Sequence, residues 1–206
     1  MNPTFVNIHT HRPTGRGIEL RIAGIHPWEA EKQPTEMAIQ TLEAALNRGG
    51  EQAIGEIGLD YARATDNDTR NAQIALFDAQ LSLARQRQLP VILHCVRAFE
   101  PTMQRLARQE PRDVIFHGFI GSPEQARRAI ARGYYLSFGE RSFASHRTVE
   151  ALRTTPLPHL FFETDDSPTP IDAIYMRAAE LSGFDLGTLK RATTENYQRI
   201  FSGQDE

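Results

Sequence analysis

Six side chains able to bind a metal ion punctuate the sequence, each near the end of an apolar run: His9, His11, Glu56, His94, His117 and Asp165. Imidazoles mixed with carboxylates form the ligand set of a Zn²⁺, Mn²⁺ or Mg²⁺ hydrolase centre. One tetrahedral ion takes about four ligands, so this number of donors suggests two ions.

Each motif has a plainer alternative. In Asn7-Ile8-His9-Thr10-His11-Arg12 the period of two along an extended chain aims both imidazoles to one side, where they can chelate an ion; the alternative is a solvated pair at a strand end. In Ala53-Ile54-Gly55-Glu56-Ile57-Gly58-Leu59-Asp60 one carboxylate interrupts an apolar run. A buried, unpaired carboxylate is costly, so Glu56 needs a cation or a structural salt bridge. Pro90-Val91-Ile92-Leu93-His94-Cys95 and Val114-Ile115-Phe116-His117 each end an apolar strand on an imidazole. Either histidine alone reads equally well as a core residue, but their repetition at equivalent strand ends argues for ligation. Leu160-Phe161-Phe162-Glu163-Thr164-Asp165 puts Glu163 and Asp165 on one side by alternation, and either could be the ligand. Cys95 should point opposite to His94, into the layer beneath the helices, as core packing without a redox role.

The elements that would carry these residues alternate between strand and helix. Runs rich in Val, Ile, Leu and Phe near 4–9, 19–25, 52–57, 90–95, 113–117, 134–138 and 159–163 read as buried parallel strands. An amphipathic helix is expected over about 70–88, with Ile74, Phe77, Leu81 and Ala84 inward and Arg70, Asp78, Arg85 and Arg87 toward solvent. Ser122-Pro123-Glu124-Gln125 supplies an N-cap for another helix, which Gly133 should end. Two more are expected over about 171–182 and 186–201. Such an order implies a parallel α/β sheet. Candidate ligands at the carboxyl ends of several strands favour a TIM-type (β/α) barrel over an open sheet, where the same residues would be strung along an edge.

A chain of 206 residues fits a single domain, expected over 1–206. The N-terminal sequence lacks a signal-peptide pattern and no run reaches roughly 18 apolar residues, so a cytoplasmic protein without membrane association is expected. A net charge of −3 argues against broad electrostatic capture of nucleic acid, so any polyanion must be gripped locally. The basic residues are nearly all arginines, with Lys32 and Lys190 the lysines. Arginine suits bidentate phosphate contacts, although a composition bias explains the excess more simply.

At the level of whole motifs the sequence resembles the TatD family of metal-dependent deoxyribonucleases, within the amidohydrolase-like TIM barrels. The landmarks are His9-Thr-His11, Gly24-Ile-His26-Pro27, Glu56-Ile-Gly-Leu-Asp60, Pro90-Val-Ile-Leu-His94, Phe116-His117-Gly-Phe-Ile-Gly121, Glu163-Thr-Asp165 and Glu195-Asn196-Tyr-Gln-Arg-Ile-Phe201. The resemblance implies that His9, His11 and Asp165 hold one divalent ion (Mg²⁺, Zn²⁺ or Mn²⁺), that His94 and His117 hold a second, and that Glu56 bridges them. It selects Asp165 over Glu163. It also implies phosphodiester hydrolysis in DNA, with Asp165 and Glu56 as catalytic residues and Asp165 orienting or deprotonating the attacking water. Arg12, His26 and Arg97 are candidate substrate contacts. A small acidic protein offers little surface for a long duplex, so single strands or DNA ends are the expected partner. Hydrolysis of a small ester, amide or phosphoester is the alternative, and a non-catalytic metal-containing partner protein the second.

Three features depart from the family pattern. Only 14 residues separate His11 from His26, too few for a strand–helix–strand crossover, so an incomplete barrel with a shortened first β/α region is expected. Exposed barrel edge or apolar surface left by that loss could be covered by a second copy in a homo-oligomer. Arg97 stands three residues after His94, where many relatives place an arginine two residues after. Asp166 adds negative charge beside Asp165, which should repel a phosphate or attract another cation.

Overall fold

Strands and helices alternate through residues 3–201, the part of the chain that the computed structural model describes. The first half contains β1 (Val6–Asn7), β2 (Ile18–Glu19), β3 (Ile22–Ala23), α1 (Thr35–Leu46), β4 (Ala53–Asp60), α2 (Asn67–Arg87), β5 (Val91–Val96) and α3 (Phe99–Gln109). The second contains β6 (Val114–Phe116), α4 (Pro123–Ile130), β7 (Tyr135–Phe138), α5 (Glu140–Phe143), α6 (His146–Thr154), β8 (Leu160–Phe162), α7 (Ile171–Ser182) and α8 (Leu186–Phe201). None of the described helices is long and apolar enough to cross a membrane.

The chain divides into two units, one formed by Met1–Leu20 with Phe116–Glu206 and the other by Arg21–Ile115. In the first, β1 pairs in parallel with β2 on one side and β8 on the other, and β8 pairs with β7. In the second, β4 lies between β3 and β5, again in parallel. The expected run over 19–25 is therefore two strands. Its first half, Ile18–Glu19, takes β1 as partner and its second, Ile22–Ala23, takes β4, so the pairing breaks across Leu20 and Arg21. No helix lies between β1 and β3, in agreement with the shortened first region. The loop after His11 is tied back by Glu19, whose carboxylate accepts from Thr14 N, Thr14 Oγ1 and Gly15 N at 2.8–3.0 Å. Burial disfavours the Glu19 charge, but those donors outweigh it and hold the carboxyl below its usual value.

Helix ends follow local chemistry. Ser122 and Gln125 form a reciprocal capping box with Pro123 in the first turn, as the sequence indicates, and α4 gives way to turn before Gly133. Helix α2 begins at Asp66, whose side chain accepts from Thr69 N, and buries Phe77, Leu81 and Ala84 completely. Two of its residues expected in solvent have partners instead. Arg70 Nε donates to Ala64 O at 2.9 Å, and Asp78 Oδ2 accepts from Arg105 of α3 at 3.0 Å. The inner face of α2 also carries two buried glutamines. Gln80 clamps both backbone groups of Ile25, at 2.7 and 2.9 Å, and Gln73 Oε1 accepts from Asp60 N at 2.9 Å. Both amides fix the ends of segments that carry site residues. In the other unit, buried Tyr175 of α7 does the same for β1, accepting from Val6 N and donating to Val6 O.

Candidate metal centre

In the unit containing β1 and β8, the two strand ends continue side by side past their last ladder residues. Asp165 N donates to His9 O at 3.1 Å and His11 N to Asp165 O at 2.9 Å, across a Thr10–Asp165 bridge. Asn7 locks this register with its side chain: Oδ1 accepts from Thr164 N and Nδ2 donates to Thr164 Oγ1, both at 2.9 Å. Asp165 sits at φ 53°, a left-handed conformation that aspartate tolerates better than most residues. The kink ends the strict alternation expected from Glu163 onward and delivers the Asp165 carboxylate to the histidines.

There the Nε2 atoms of His9 and His11 lie 3.6 and 3.4 Å from Asp165 Oδ1. The His117 ring stands 4.5 Å from that of His9. One donor atom each from His9, His117 and Asp165 falls within 4.8 Å of the others. Glu163 stands behind them, fully buried, with Oε1 3.1 Å from His117 Nδ1. Burial disfavours its charge, but the His117 and His9 imidazoles compensate and hold the carboxyl below its usual value. An ionised carboxylate can only accept, so His117 Nδ1 carries a proton, and in the neutral ring its Nε2 keeps the lone pair that a metal requires.

The other unit builds a second cluster. Glu56 lies within β4 and His94 within β5, so neither is at its strand's end as the sequence reading expects. Both strands continue to Asp60 and Val96 because their pairing continues. Between the Ile54–Val91 and Ile57–Leu93 pairs, β4 holds one more residue than β5, a bulge that re-aims Glu56. His94 is gripped between two carboxylates, with Nδ1 2.8 Å from Glu56 Oε1 and Nε2 3.3 Å from Asp60 Oδ2.

Asp60 determines how those groups share their protons. It is buried, and although burial disfavours its charge, hydrogen bonds from Trp28 Nε1, His94 and Arg63 N hold its carboxyl below the usual value. Both carboxylates can accept from His94; when Asp60 takes the Nε2 proton, the neutral ring turns its Nδ1 lone pair toward Glu56. Two lone-pair atoms 2.8 Å apart repel unless a cation, proton or metal, binds between them. Glu56 and His94 therefore fit a divalent ion. His26 has a donor atom within the same 4.8 Å cluster but a different proton arrangement. Its Nδ1 accepts from Trp28 N at 3.2 Å, capping the 3₁₀ turn Pro27–Glu29, so the neutral ring carries its proton on Nε2, 3.5 Å from Glu56 Oε1. His26 thus caps local backbone and also offers an N–H to the cluster.

The remaining candidates are less directly involved. Arg12 and Arg97 are exposed, and Arg97 occupies the left-handed region at φ 52°. The extra charge of Asp166 has attracted a cation from the chain itself, since Arg141 Nη2 donates to it at 2.7 Å and Arg141 Nη1 lies 3.9 Å from Asp165 Oδ2. Cys95 faces α3, where its thiol donates to Thr102 Oγ1 at 3.6 Å, and burial pushes its pKa up to about 11. The thiol should therefore stay unmodified by a chromogenic disulfide reagent at pH 8 and react at full stoichiometry once urea unfolds the protein. Fast reaction in the native state would show that the half-buried Cys95 thiol is open to solvent and its pKa is not raised.

Asp60, Trp28, Gln73, Gln80 and Arg141 also contribute to the site, although none of them stands out in the sequence as a site residue. For Asp60 the signal was available: Glu56, Gly58 and Asp60 alternate along one strand, and a second acid on that face needs partners as much as the first.

Comparison with known proteins follows these landmarks. The TatD-related DNase family profile matches residues 18–202. The metal-dependent hydrolase YjjV of Escherichia coli is 35% identical over 154 residues, covering 72% of this chain and 58% of YjjV, so the match spans less than two thirds of that relative. The 3'-5' ssDNA/RNA exonuclease TatD of Cronobacter sakazakii is 30% identical over 206 residues, covering 87% of this chain and 75% of that one. Among solved structures, the YjjV crystal structure superposes with a TM-score of 0.79 at 28% identity, over 89% of this chain and 77% of the other. A TatD family hydrolase from Entamoeba histolytica superposes at 0.78 with 18% identity, covering 89% and 75%, which speaks to fold alone. The fold class is thus α/β of the TIM-barrel type, as expected.

Proposed function

This chain belongs to the TatD-related DNase family, and from that membership we propose that it is a divalent-metal-dependent phosphodiesterase acting on DNA at single strands or ends, as one functional domain over residues 1–206. The observation that carries the reading is the pair of donor clusters, His9–His117–Asp165 and His26–Glu56–His94, each with donor atoms within 4.8 Å of one another. His11 adds a fourth donor to the first, 3.4 Å from Asp165. The second offers Glu56 and His94 to an ion, with His26 as a hydrogen-bond donor. In place of the expected division, in which His117 joins His94 and Glu56 bridges two ions, we assign one divalent ion to each cluster, with His117 beside His9 and Asp165, Zn²⁺ and Mn²⁺ suiting the imidazoles and Mg²⁺ the carboxylates.

Bound divalent ions lower the pKa of a coordinated water and neutralise charge on a phosphodiester. The chain's own residues do the rest. Asp165, held in place through both backbone groups, orients the attacking water and accepts its proton. His26 Nε2–H orients Glu56 or a phosphate oxygen, and Glu163 and Asp60 keep His117 and His94 in their ligating tautomers. The exonuclease name carried by the Cronobacter relative supports the choice of a polynucleotide substrate.

Metal analysis joined to degradation assays on defined single- and double-stranded DNA tests this reading. The wild-type protein should purify with, or take up, divalent metal and release nucleotides from single-stranded DNA. Glu56→Ala should lose about 10²-fold or more in rate, with reduced metal content. Metal-loaded wild-type protein that degrades no DNA with Mg²⁺, Mn²⁺ or Zn²⁺ would overturn it, and cleavage of a model ester alone would redirect it to small substrates.

A further inference from the structure

Trp28 is the only tryptophan in the chain, and it is 47% exposed. It follows His26 and Pro27 in the 3₁₀ turn beside the His26–Glu56–His94 cluster, with its ring centroid 4.5 Å from that of His26 and 6.4 Å from that of His94. The ring is anchored, since Nε1 donates to Asp60 Oδ2 at 2.7 Å. The guanidinium of Arg63 lies over the indole, its central carbon 3.6 Å from the ring centroid, while the residue remains exposed. The backbone of Arg63 is fixed by the same buried acid, since Asp60 Oδ1 accepts from Arg63 N at 3.1 Å. One carboxylate thus holds both members of an exposed aromatic–guanidinium stack at the edge of the candidate metal cluster.

We infer that Trp28 and Arg63 form a stacking platform for one unpaired base of a single-stranded nucleic acid, an assignment that rests on the function proposed above. Exposed indole and guanidinium planes stack on bases of any sequence, and the guanidinium N–H groups remain available to a neighbouring phosphate. A base within a duplex has its faces covered by its neighbours and cannot join the stack, so the platform selects single strands or frayed ends. It also gives the chain the local grip that a net charge of −3 denies it over a broad surface.

The single tryptophan makes the platform its own reporter. Wild-type protein is titrated with a cleavage-resistant phosphorothioate oligothymidylate in Mg²⁺, and with an abasic oligomer of equal length and charge. The base-bearing oligomer should quench Trp28 fluorescence and bind about tenfold or more tightly than the abasic one. By anisotropy of a labelled oligothymidylate, Trp28→Ala and Arg63→Ala should each weaken binding about 5- to 100-fold, while Trp28→Phe, which keeps a ring, should lose less than Trp28→Ala. Equal binding and equal quenching by the two oligomers would overturn the platform, a result that needs no variant and is unaffected by misfolding. DNA degradation with no Trp28 response would remove the platform and leave the nuclease reading standing; absence of both binding and degradation would remove both.

Discussion

Replacing Gly58 with alanine is expected to destabilise the fold severely and to disrupt the candidate metal cluster beside it. Gly58 pairs with His94 across β4 and β5, and a Cβ built there would sit 1.9 Å from His94 O and 2.9 Å from His94 C. No rotamer relieves a clash between a Cβ and backbone, so the strands must separate at the residue that grips Glu56 and Asp60. The position also lies at φ 142°, where a side chain is strained whatever the space. Strain of about 1–3 kcal/mol and overpacking of about 1–3 kcal/mol together remove a large share of the roughly 5–15 kcal/mol by which a domain is stable, and all of it only at the low end of that range. Gly133→Ala is the control: φ is 81° there, but nothing lies within 4 Å of the new Cβ, so only the conformational cost of about 1–2 kcal/mol applies. Urea midpoints of the two variants, with Zn²⁺ uptake of any soluble Gly58→Ala protein, decide the matter. A Gly58→Ala midpoint equal to that of Gly133→Ala would refute the steric argument.

Much of the candidate site is visible in the chain because it places polar and acidic residues where burial alone would not. Glu56 within an apolar strand and two apolar runs closed by a histidine are costly unless those side chains find partners, and cost is legible without a structure. The parallel α/β order and the helices 171–182 and 186–201 follow from periodicity in the same way. Periodicity fails where tertiary partners decide. Gln73 and Gln80 occupy core-facing positions of α2 as polar residues, and nothing local indicates that they satisfy Asp60 N and the backbone of Ile25. The run near 19–25 appears as one strand because its apolar content is continuous, whereas a change of pairing partner divides it. Trp28 and Asp60 are 32 residues apart in sequence, and only the fold brings the indole N–H to the carboxylate. What the sequence withholds is chiefly the second layer of contacts, which carries no periodicity and no composition signal.

That second layer supplies the other large effect. Glu163→Ala should weaken divalent-ion binding by the His9–His11–His117–Asp165 set about 10- to 100-fold, although Glu163 is absent from the ligand set assigned to that ion. The carboxylate is fully buried, and its Oε1 holds the proton on His117 Nδ1 at 3.1 Å. Without it, His117 can carry its proton on Nε2 and present the wrong nitrogen to the ion. Glu163→Gln separates geometry from charge. The amide oxygen can still accept from His117 Nδ1, so tautomer and ring orientation survive, while the negative charge that makes the imidazole a better donor is lost. The order of Zn²⁺ affinity by calorimetry should therefore be wild type, then Glu163→Gln, then Glu163→Ala. A Co²⁺-substituted protein should retain its ligand-field absorption in the glutamine variant and show an altered band in the alanine variant. Equal affinity in all three proteins would reduce Glu163 to a packing residue. Its buried position beside the Gly139 backbone would then have to be explained without the metal, since a Cβ on Gly139 would meet Glu163 O at 3.0 Å and Cγ at 3.3 Å.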